Sequence, residues 1–290
     1  MNKIKFYVDA CACDLNENLI KENDISFIYP YISFNNRDYL SDSSWRNTPL
    51  NDYLNWVRRG NFFSITQPSV KLWADVFEKD LEEGYDILFL SLSQRFSGGY
   101  KQAQIAKNLL LSKYKSSSFE IIDSTLVGAS LKLLALKISN LIKENSFKTL
   151  EELAPYVRSS LIPKITNYWV CDSLKNVAYM GRGSDSFDEK KVPTGSPLIT
   201  TTDGTFSVIS LSPDFNSAFE TLKKNLKPED IEEWEFAYSL DFDNPFYYSN
   251  NFTIHLNRES AHSPTYMGPT NVAIAGLHSF NIGILKKDNL

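Results

Sequence analysis

The sequence has little of what disulfide-bonded and metal-centred proteins depend on. Its 290 residues include only three cysteines, Cys11, Cys13 and Cys171. Three cysteines are too few for a disulfide framework. Cys11 and Cys13 also lack the second paired cluster that structural zinc sites use. We therefore expect packed thiols in a reducing compartment, with no metal bound.

Common catalytic motifs are also missing. The chain contains no G-x-S-x-G, no H-E-x-x-H and no Walker A loop. These absences exclude the usual serine-hydrolase, zinc-hydrolase and P-loop sites. Gly181-Arg182-Gly183 begins like a dinucleotide-binding loop, but Ser186 stands where its last glycine belongs. Any chemistry must come from a less common arrangement.

Neither a basic surplus nor an apolar run of membrane-spanning length is present. Thirty basic and 35 acidic residues give a formal net charge of −5, which argues against binding to nucleic acid or anionic lipid. The most apolar stretch, residues 126–142, is interrupted by Lys132 and Lys137. The N-terminus turns polar at Asp9, without the apolar core of a signal peptide. We expect a soluble, cytoplasmic protein with no transmembrane segment.

Strand and helix patterns alternate in the first half of the chain. Apolar strands are predicted at residues 5–8, 25–29, 87–92 and 119–122, and amphipathic helices at residues 50–58, 72–81, 101–114 and 131–141. Such alternation is typical of a parallel sheet with helices on both faces. Residues 64–69, which include Pro68, are predicted to form a loop before the second of these helices.

The second half has a different pattern. Strands are predicted at residues 168–171, 206–209, 271–275 and 280–284, the last two paired, and a helix at residues 215–225. A capping box of Thr149 and Glu152 starts the last helix of the first half. We predict two α/β domains. Residues 1–158 contain the parallel sheet, and residues 159–290 form a C-terminal α/β domain with a mixed sheet.

Small polar residues follow several of the predicted strands. They are Asp9 after the first strand, Ser93, Gln94, Ser97 and Gly98 after the third, and Ser124 after the fourth. Ligands of open parallel sheets bind beyond the carboxyl ends of the strands. Glycines at the start of a helix let an anion approach its free N–H groups. Ordinary helix capping explains the same residues equally well.

Three further segments carry weaker signals. Arg182 has the planar guanidinium that binds a carboxylate or phosphate through two parallel hydrogen bonds. Ser64 and Thr66 precede a predicted helix start, and Tyr266 and Met267 precede a Gly-Pro pair. Taken singly, the first two segments are better explained as a surface arginine and an ordinary helix start, and the third can be an ordinary turn.

Taken in order, these segments resemble the DegV family of bacterial fatty-acid-binding proteins. Motifs of the family are matched at residues 9–15, 64–68, 82–86, 93–100, 122–124, 172–174, 180–184, 196–199 and 266–270. The resemblance extends over nearly the whole chain and identifies it as a divergent member. Tyr266 stands where the family has a histidine, and Thr270 replaces a glycine.

The resemblance implies the family's two-domain α/β fold, the EDD fold, with a long-chain fatty acid in a tunnel between the domains and no other cofactor. It also implies which residues bind the carboxylate of that acid. These are Ser64, Thr66, Ser93, Gln94, Ser97, Gly98, Arg182, Tyr266 and Met267, with Asp9 and Ser124 as further candidates. Tyr266 is expected to donate the hydrogen bond of the missing histidine.

The resemblance further implies a separate fatty-acid kinase that phosphorylates the bound acid. The chain, expected to be a monomer, would then be a carrier without chemistry of its own. Two alternatives remain open at this point. One is an enzyme that acts on a small acidic substrate through Asp9, Ser97 and Arg182, although no general base is evident beside the serines. The other is a purely structural or interaction protein.

Replacing Arg182 tests its assignment to the ligand. We expect Arg182→Ala to leave the free energy of unfolding of the ligand-free protein within about ±0.5 kcal/mol, as for a surface change. The same variant should weaken fatty-acid binding in calorimetric titration. Arg182→Lys should restore only part of the affinity, because lysine lacks the bidentate fork. An Arg182→Ala variant that unfolds, while its folded fraction binds normally, would make the residue structural.

Overall fold

Strands and helices alternate through the first half of the chain, as the sequence predicts. The computed structural model describes residues 3–11, 13–61, 63–175 and 194–288. The described strands are β1 (Ile4–Asp9), β2 (Ile25–Ile28), β3 (Tyr31–Phe34), β4 (Arg37–Leu40), β5 (Ser64–Thr66), β6 (Asp86–Ser91), β7 (Phe119–Asp123), β8 (Ile165–Cys171), β9 (Ser196–Thr202), β10 (Thr205–Ser212), β11 (Ile231–Tyr238), β12 (Thr265–Tyr266) and β13 (Ser279–Lys286). The described helices are α1 (Glu17–Glu22), α2 (Leu50–Arg58), α3 (Val70–Glu82), α4 (Gly99–Leu111), α5 (Ala129–Lys143), α6 (Leu150–Tyr156), α7 (Phe215–Asn225), α8 (Pro245–Leu256) and α9 (Pro269–Ala275).

A four-stranded parallel sheet forms the centre of the first half, in the order β2-β1-β6-β7. Alternate side chains of β6 point to its two faces. Phe89 packs with Trp73 and Phe77 of α3, while Leu88 and Leu90 belong to the apolar cluster that includes α5. Because both faces are covered, the central strand is apolar at consecutive positions.

A six-stranded mixed sheet forms the second half, in the order β10-β9-β8-β13-β11-β12. Its strands are antiparallel except for β11 and β12, which are parallel. Helices α7 and α8 cover one face through an aromatic cluster that includes Phe219, Trp234 and Phe252. The predicted α/β class, a parallel sheet followed by a mixed sheet, is confirmed. The division after residue 158 stays a prediction, since the helical backbone continues from α6 through residues 157–164 into β8.

Helix α5 lies between the two sheets and contacts strands of both. Its residues 129–136 are all buried. Lys132, fully buried among them, pairs with Glu235 of β11 at 2.7 Å and donates to Thr265 Oγ1 at 3.1 Å. Glu235 also contacts His262 Nδ1 at 2.5 Å. None of the described helices, α5 included, has the length and apolar character needed to cross a membrane.

The expected loop at residues 64–69 is wrong for its first half. Residues 64–66 form β5, an edge strand in a three-stranded sheet of order β4-β3-β5. Ile65 is half-buried, whereas Ser64 and Thr66 are exposed. One apolar residue between two polar ones is too short a pattern to distinguish an edge strand from a loop.

The expected strand at residues 271–275 is also wrong, because these residues form most of helix α9. Pro269 occupies the first turn, where its fixed φ and missing N–H suit a helix. Every residue of α9 is buried, so its apolar run shows no helical period. Only the predicted partner, residues 280–284, is a strand, and it belongs to β13.

The ion pair inside the α5 layer generates a stability prediction. Lys132→Met should lower the free energy of unfolding by about 3–5 kcal/mol, because it leaves Glu235 buried with His262 but without the lysine cation. Adding Glu235→Leu to this variant should recover most of the loss. Urea denaturation at neutral pH measures both.

Lys137→Met is the matched control for Lys132→Met. Lys137 lies on the same helix with a 27% exposed side chain and pairs with Glu233. We expect this change to cost less than about 1 kcal/mol. Equal losses for the two lysine variants would contradict a special role for the buried pair.

Candidate functional site

Asp9, Gln67, Ser97 and Gly99, termed here the Ser97 cluster, meet beyond the carboxyl ends of β1 and β6. The strand order changes direction between β1 and β6, because β2 lies on the outer side of β1 and β7 on the outer side of β6. Open α/β sheets bind their ligands at such a point. Gln67 Nε2 donates to Ser97 Oγ at 2.8 Å, and the Gly99 N–H donates to the same oxygen at 3.1 Å. The loop after β5 is thereby joined to the start of α4.

The absence of a side chain at Gly99 allows the cluster to close. A β-carbon at residue 99 would lie 2.8 Å from Asp9 Oδ2 and 3.3 Å from both Gln67 Oε1 and Ser97 Oγ. The contact with Asp9 is shorter than packed atoms tolerate. Three polar side chains therefore converge on one point at the start of a 13-residue helix, whose dipole favours an anion.

Asp9 is fully buried in this cluster. Its Oδ1 accepts a hydrogen bond from the Cys11 N–H at 2.9 Å. Burial raises the pKa of Asp9 to about 7, and the Cys11 hydrogen bond offsets part of that effect. The predicted residues Asp9 and Ser97 are thus brought together, with Gly98 beside Ser97 in the chain. Ser97 is half-buried and Gly98 is exposed, so one side of the cluster faces solvent.

The side chains of Ser93 and Ser124 bind other partners, and Gln94 lines a cavity. The buried Ser93 hydroxyl donates to the Gly204 carbonyl at 2.8 Å, in the turn between β9 and β10. Ser124 Oγ accepts from the Leu126 N–H at 3.0 Å. Gln94 is exposed beside an open cavity of about 520 Å³. Their roles in ligand binding stay predictions.

Gly204 packs closely against Ser93, just beyond strand β6 of the parallel sheet. Its φ of +75° lies in the left-handed region, which favours glycine. A β-carbon at residue 204 would also collide with Ser93 Oγ. The turn between β9 and β10 is therefore fixed against the end of β6.

Tyr266 and Met267 lie at the edge of the mixed sheet. Tyr266 is 48% exposed, and its ring centroid is 4.9 Å from that of Tyr238. Met267 is buried, its N–H donates to the Tyr238 carbonyl at 2.8 Å, and its carbonyl accepts from Trp45 Nε1 at 3.0 Å. Thr270, in place of the family glycine, lies with its hydroxyl 2.9 Å from that of Ser41.

The remaining predicted residues divide into two kinds. Ser64 and Thr66 are exposed on β5, next in sequence to Gln67. Arg182 lies outside the described residues, as do its neighbours Gly181 and Gly183. Their assignment to the ligand stays a prediction.

The site prediction omits Gln67 and Asp14. Gln67 lies inside the matched family motif at residues 64–68, so membership of that motif could have identified it. Asp14, fully buried, accepts from the Gly268 N–H at 3.0 Å and from the Asn271 and Asn281 amides at 2.8 Å and 3.4 Å. Burial raises the pKa of Asp14 to about 6, although these three hydrogen bonds and Lys132 act in the opposite direction. Asp14 joins the segment after β1 to α9 and β13.

An apolar layer borders the Ser97 cluster. Phe96, the residue before Ser97, is buried with its ring centroid 4.6 Å from that of Phe206 on β10. Phe206 in turn lies 5.7 Å from Trp169 of β8, measured between ring centroids. Adjacent residues of one loop thus face a polar cluster and the apolar interior between the sheets.

Neutralising Asp14 should make stability less dependent on pH. The pKa of Asp14 is about 6 in the folded chain and about 3.9 in an unfolded one, so the folded state holds the proton more tightly. Its contribution to stability is full below pH 4 and is lost as pH rises to 6. Asp14→Asn keeps an oxygen for Gly268 and Asn271 without the charge. Its stability relative to wild type should therefore rise by up to about 3 kcal/mol between pH 4 and pH 7.

Urea denaturation across this pH range measures the Asp14 effect. Asp52→Asn is the control, because Asp52 is an exposed carboxylate on α2; its difference from wild type should stay within about 0.5 kcal/mol. If Asp14→Asn instead loses stability relative to wild type as pH rises, the buried carboxylate is stabilised by its hydrogen bonds and the sign is wrong.

Comparison with known proteins agrees with the resemblance in the sequence. A DegV domain-containing protein of Clostridium perfringens is 27% identical over 186 residues, which cover 64% of this chain and 62% of that protein. A second, from Clostridium acetobutylicum, is 32% identical over 167 residues, which cover 56% of this chain and 57% of that protein. The chain thus matches less than two thirds of the length of either relative.

Solved structures share the fold along nearly the whole chain. A protein of Eubacterium ventriosum described as stearic acid-binding has a TM-score of 0.85 at 22% identity, and the match covers 99% of both chains. DegV of Bacillus subtilis, described as a fatty acid binding protein, has a TM-score of 0.81 at 15% identity, with 99% of this chain and 100% of that one covered. A family model described as "Uncharacterised protein, DegV family" matches residues 3–187. This match covers well over half of the sequence, and the chain belongs to the DegV family.

Proposed function

We propose that this protein binds a long-chain fatty acid, with the carboxylate at the Ser97 cluster and the acyl chain in the apolar layer between the sheets. The observation that carries the proposal is the adjacency of Phe96 and Ser97, which face the apolar layer and the polar cluster respectively. An amphiphile with one charged end and a long apolar tail matches that division.

Energetics favour this ligand class. Each buried CH₂ contributes about 0.8 kcal/mol, so a long acyl chain supplies most of the affinity. A buried carboxylate is costly unless hydrogen-bond donors surround it. Ser97 Oγ already accepts two hydrogen bonds, from Gln67 and from Gly99, which leaves its own hydrogen for a carboxylate. The first turn of α4 adds N–H groups without partners inside the helix.

Relatives support the ligand class as well. The Eubacterium ventriosum protein is described as binding stearic acid, and the Bacillus subtilis protein as binding fatty acid. Arg182, Ser64, Thr66 and Tyr266 remain candidates for additional contacts with the carboxylate. We place the tunnel between residues 1–158 and 159–290, where α5 separates the sheets.

We propose further that the protein is a monomeric carrier that presents the carboxylate to a fatty-acid kinase in the cytoplasm. Exposure of Gly98 and partial exposure of Ser97 would let a partner reach the head group. The three histidines lie at other sites, which argues against hydrolytic chemistry at Ser97. His262 contacts Glu235, His255 contacts the Leu226 carbonyl, and the His278 ring packs on Phe215.

Extraction of the purified protein tests the proposed ligand. Organic extracts analysed by mass spectrometry should contain saturated or monounsaturated fatty acids in near-stoichiometric amounts. Ser97→Ala should weaken binding by about 1.5–3 kcal/mol, the range for a hydrogen bond to a charged group, and should lower the extracted amount. Calorimetric titration of delipidated protein with oleate gives the affinity.

Ser112→Ala is the control for Ser97→Ala. Ser112 is exposed at the other end of α4, where its hydroxyl donates to the Leu109 carbonyl. This variant should retain wild-type lipid content and affinity. Protein that is empty when purified and does not bind added acids would overturn the carrier proposal.

A further inference from the structure

Two buried acceptor oxygens meet at the Ser97 cluster without a donor. Within the described residues, Asp9 Oδ2 and Gln67 Oε1 are both buried and make no hydrogen bond. Each lies within 3.3 Å of the position that a β-carbon would take at residue 99. An unpaired acceptor in the interior is costly, and this cluster contains two. One hydrogen carried by one oxygen and donated to the other would satisfy both.

Gln67 connects the two unpaired oxygens to Ser97 by a hydrogen bond. Its Nε2 donates to Ser97 Oγ at 2.8 Å, and the Gly99 N–H donates to the same oxygen at 3.1 Å. With both lone pairs of Oγ engaged, the hydroxyl hydrogen must point to another acceptor. The orientation of the Gln67 amide therefore decides whether Ser97 donates outward or back to the protein.

We propose that Asp9 carries a hydrogen on Oδ2 and donates it to Gln67 Oε1, and that the relay Asp9–Gln67–Ser97 aims the Ser97 hydroxyl at the ligand carboxylate. Asp9 is then a positioning residue that acts through Gln67. The ligand part of this inference rests on the proposed function; the protonation of Asp9 does not.

The surroundings of Asp9 favour the neutral acid. Burial raises the pKa of Asp9 to about 7. Within the described chain, no cation of the surrounding elements β2, β6 and α4 or of residues 64–69 lowers this pKa. Lys132 acts on Asp14 and Cys13 and not on Asp9. The Cys13 thiol, the titratable group with which Asp9 interacts, stays neutral because burial raises its pKa well above its usual value. A bound carboxylate nearby would favour the proton on Asp9 further.

This relay couples affinity to pH. Deprotonation of Asp9 removes the donor to Gln67 and places a second negative charge near the ligand. Wild-type affinity for oleate should therefore fall as pH rises above 7, by up to about tenfold per pH unit. Asp9→Asn supplies a permanent donor in the same shape, since its amide oxygen can still accept from the Cys11 N–H. We expect Asp9→Asn to match wild type at pH 6 and to bind more tightly than wild type at pH 8.5.

The matched control is Asp123→Asn at the end of the neighbouring β7. Asp123 Oδ1 accepts from the Gln94 and Thr125 N–H groups, so the exchange keeps its acceptor. This variant should retain the wild-type pH dependence. Ionisation of oleate itself affects wild type, Asp9→Asn and Asp123→Asn equally. The test is therefore the difference in affinity between each variant and wild type at the same pH. An Asp9→Asn variant that follows wild type at every pH overturns the relay.

A carbon-13 NMR titration of the ligand-free protein tests the proton directly, with Asp9→Asn identifying the signal. The Asp9 carboxyl should titrate with a midpoint near 7. A midpoint below 5 would overturn the proposal, because Gln67 would then have its amide turned to donate to Asp9. A titration that moves on addition of Mg²⁺ would also overturn it in favour of a cation. Protonated Asp9 in a protein that binds no fatty acid would refute the proposed function and leave the protonation intact.

Discussion

The position of the buried helix α5 is the constraint on which the rest of the structure depends. One side of it covers the parallel sheet and the other covers the mixed sheet, so the two sheets share a layer. Across this layer Lys132 forms a fully buried ion pair with Glu235 of β11, an arrangement that is costly to break by removing one partner. The pair thus links α5, which packs on the parallel sheet, directly to a strand of the mixed sheet.

Two buried acids, five residues apart, behave differently because their partners differ. Asp14 accepts three hydrogen bonds and contributes to joining α9 and β13 to the first half of the chain. Asp9 accepts one, from Cys11, at the edge of the proposed binding site. Burial raises the pKa of both acids, to about 6 for Asp14 and about 7 for Asp9, and the additional donors around Asp14 act against that rise. Hydrogen-bond donors, more than depth, decide which role a buried carboxyl takes.

Periodic segments were predictable from the sequence, and segments defined by distant contacts were not. Helices α2 and α7 have the predicted bounds because their apolar faces recur with a helical period. Helix α9 was predicted as a strand because burial on all sides removes that period. The site followed the same rule. Ser97 is marked by local glycines, whereas Gln67 joins the cluster only through a hydrogen bond to a serine 30 positions away. Strand β11 and helix α8 have few sequence features that predict a strand or a helix. Their aromatic residues, such as Trp234 and Phe252, form a cluster only when the two elements pack together.

The turn between β9 and β10 has a consequence for how the family diversifies. Hairpin tips are ordinarily the places where insertions accumulate, since they project into solvent. Here the tip at Gly204 is pressed against Ser93, so extra residues would push the mixed sheet away from the end of β6. Insertions in this turn would therefore be selected against. Divergence must proceed there by exchange of side chains, and the hairpin is expected to keep one length among homologues whose sequences otherwise differ widely.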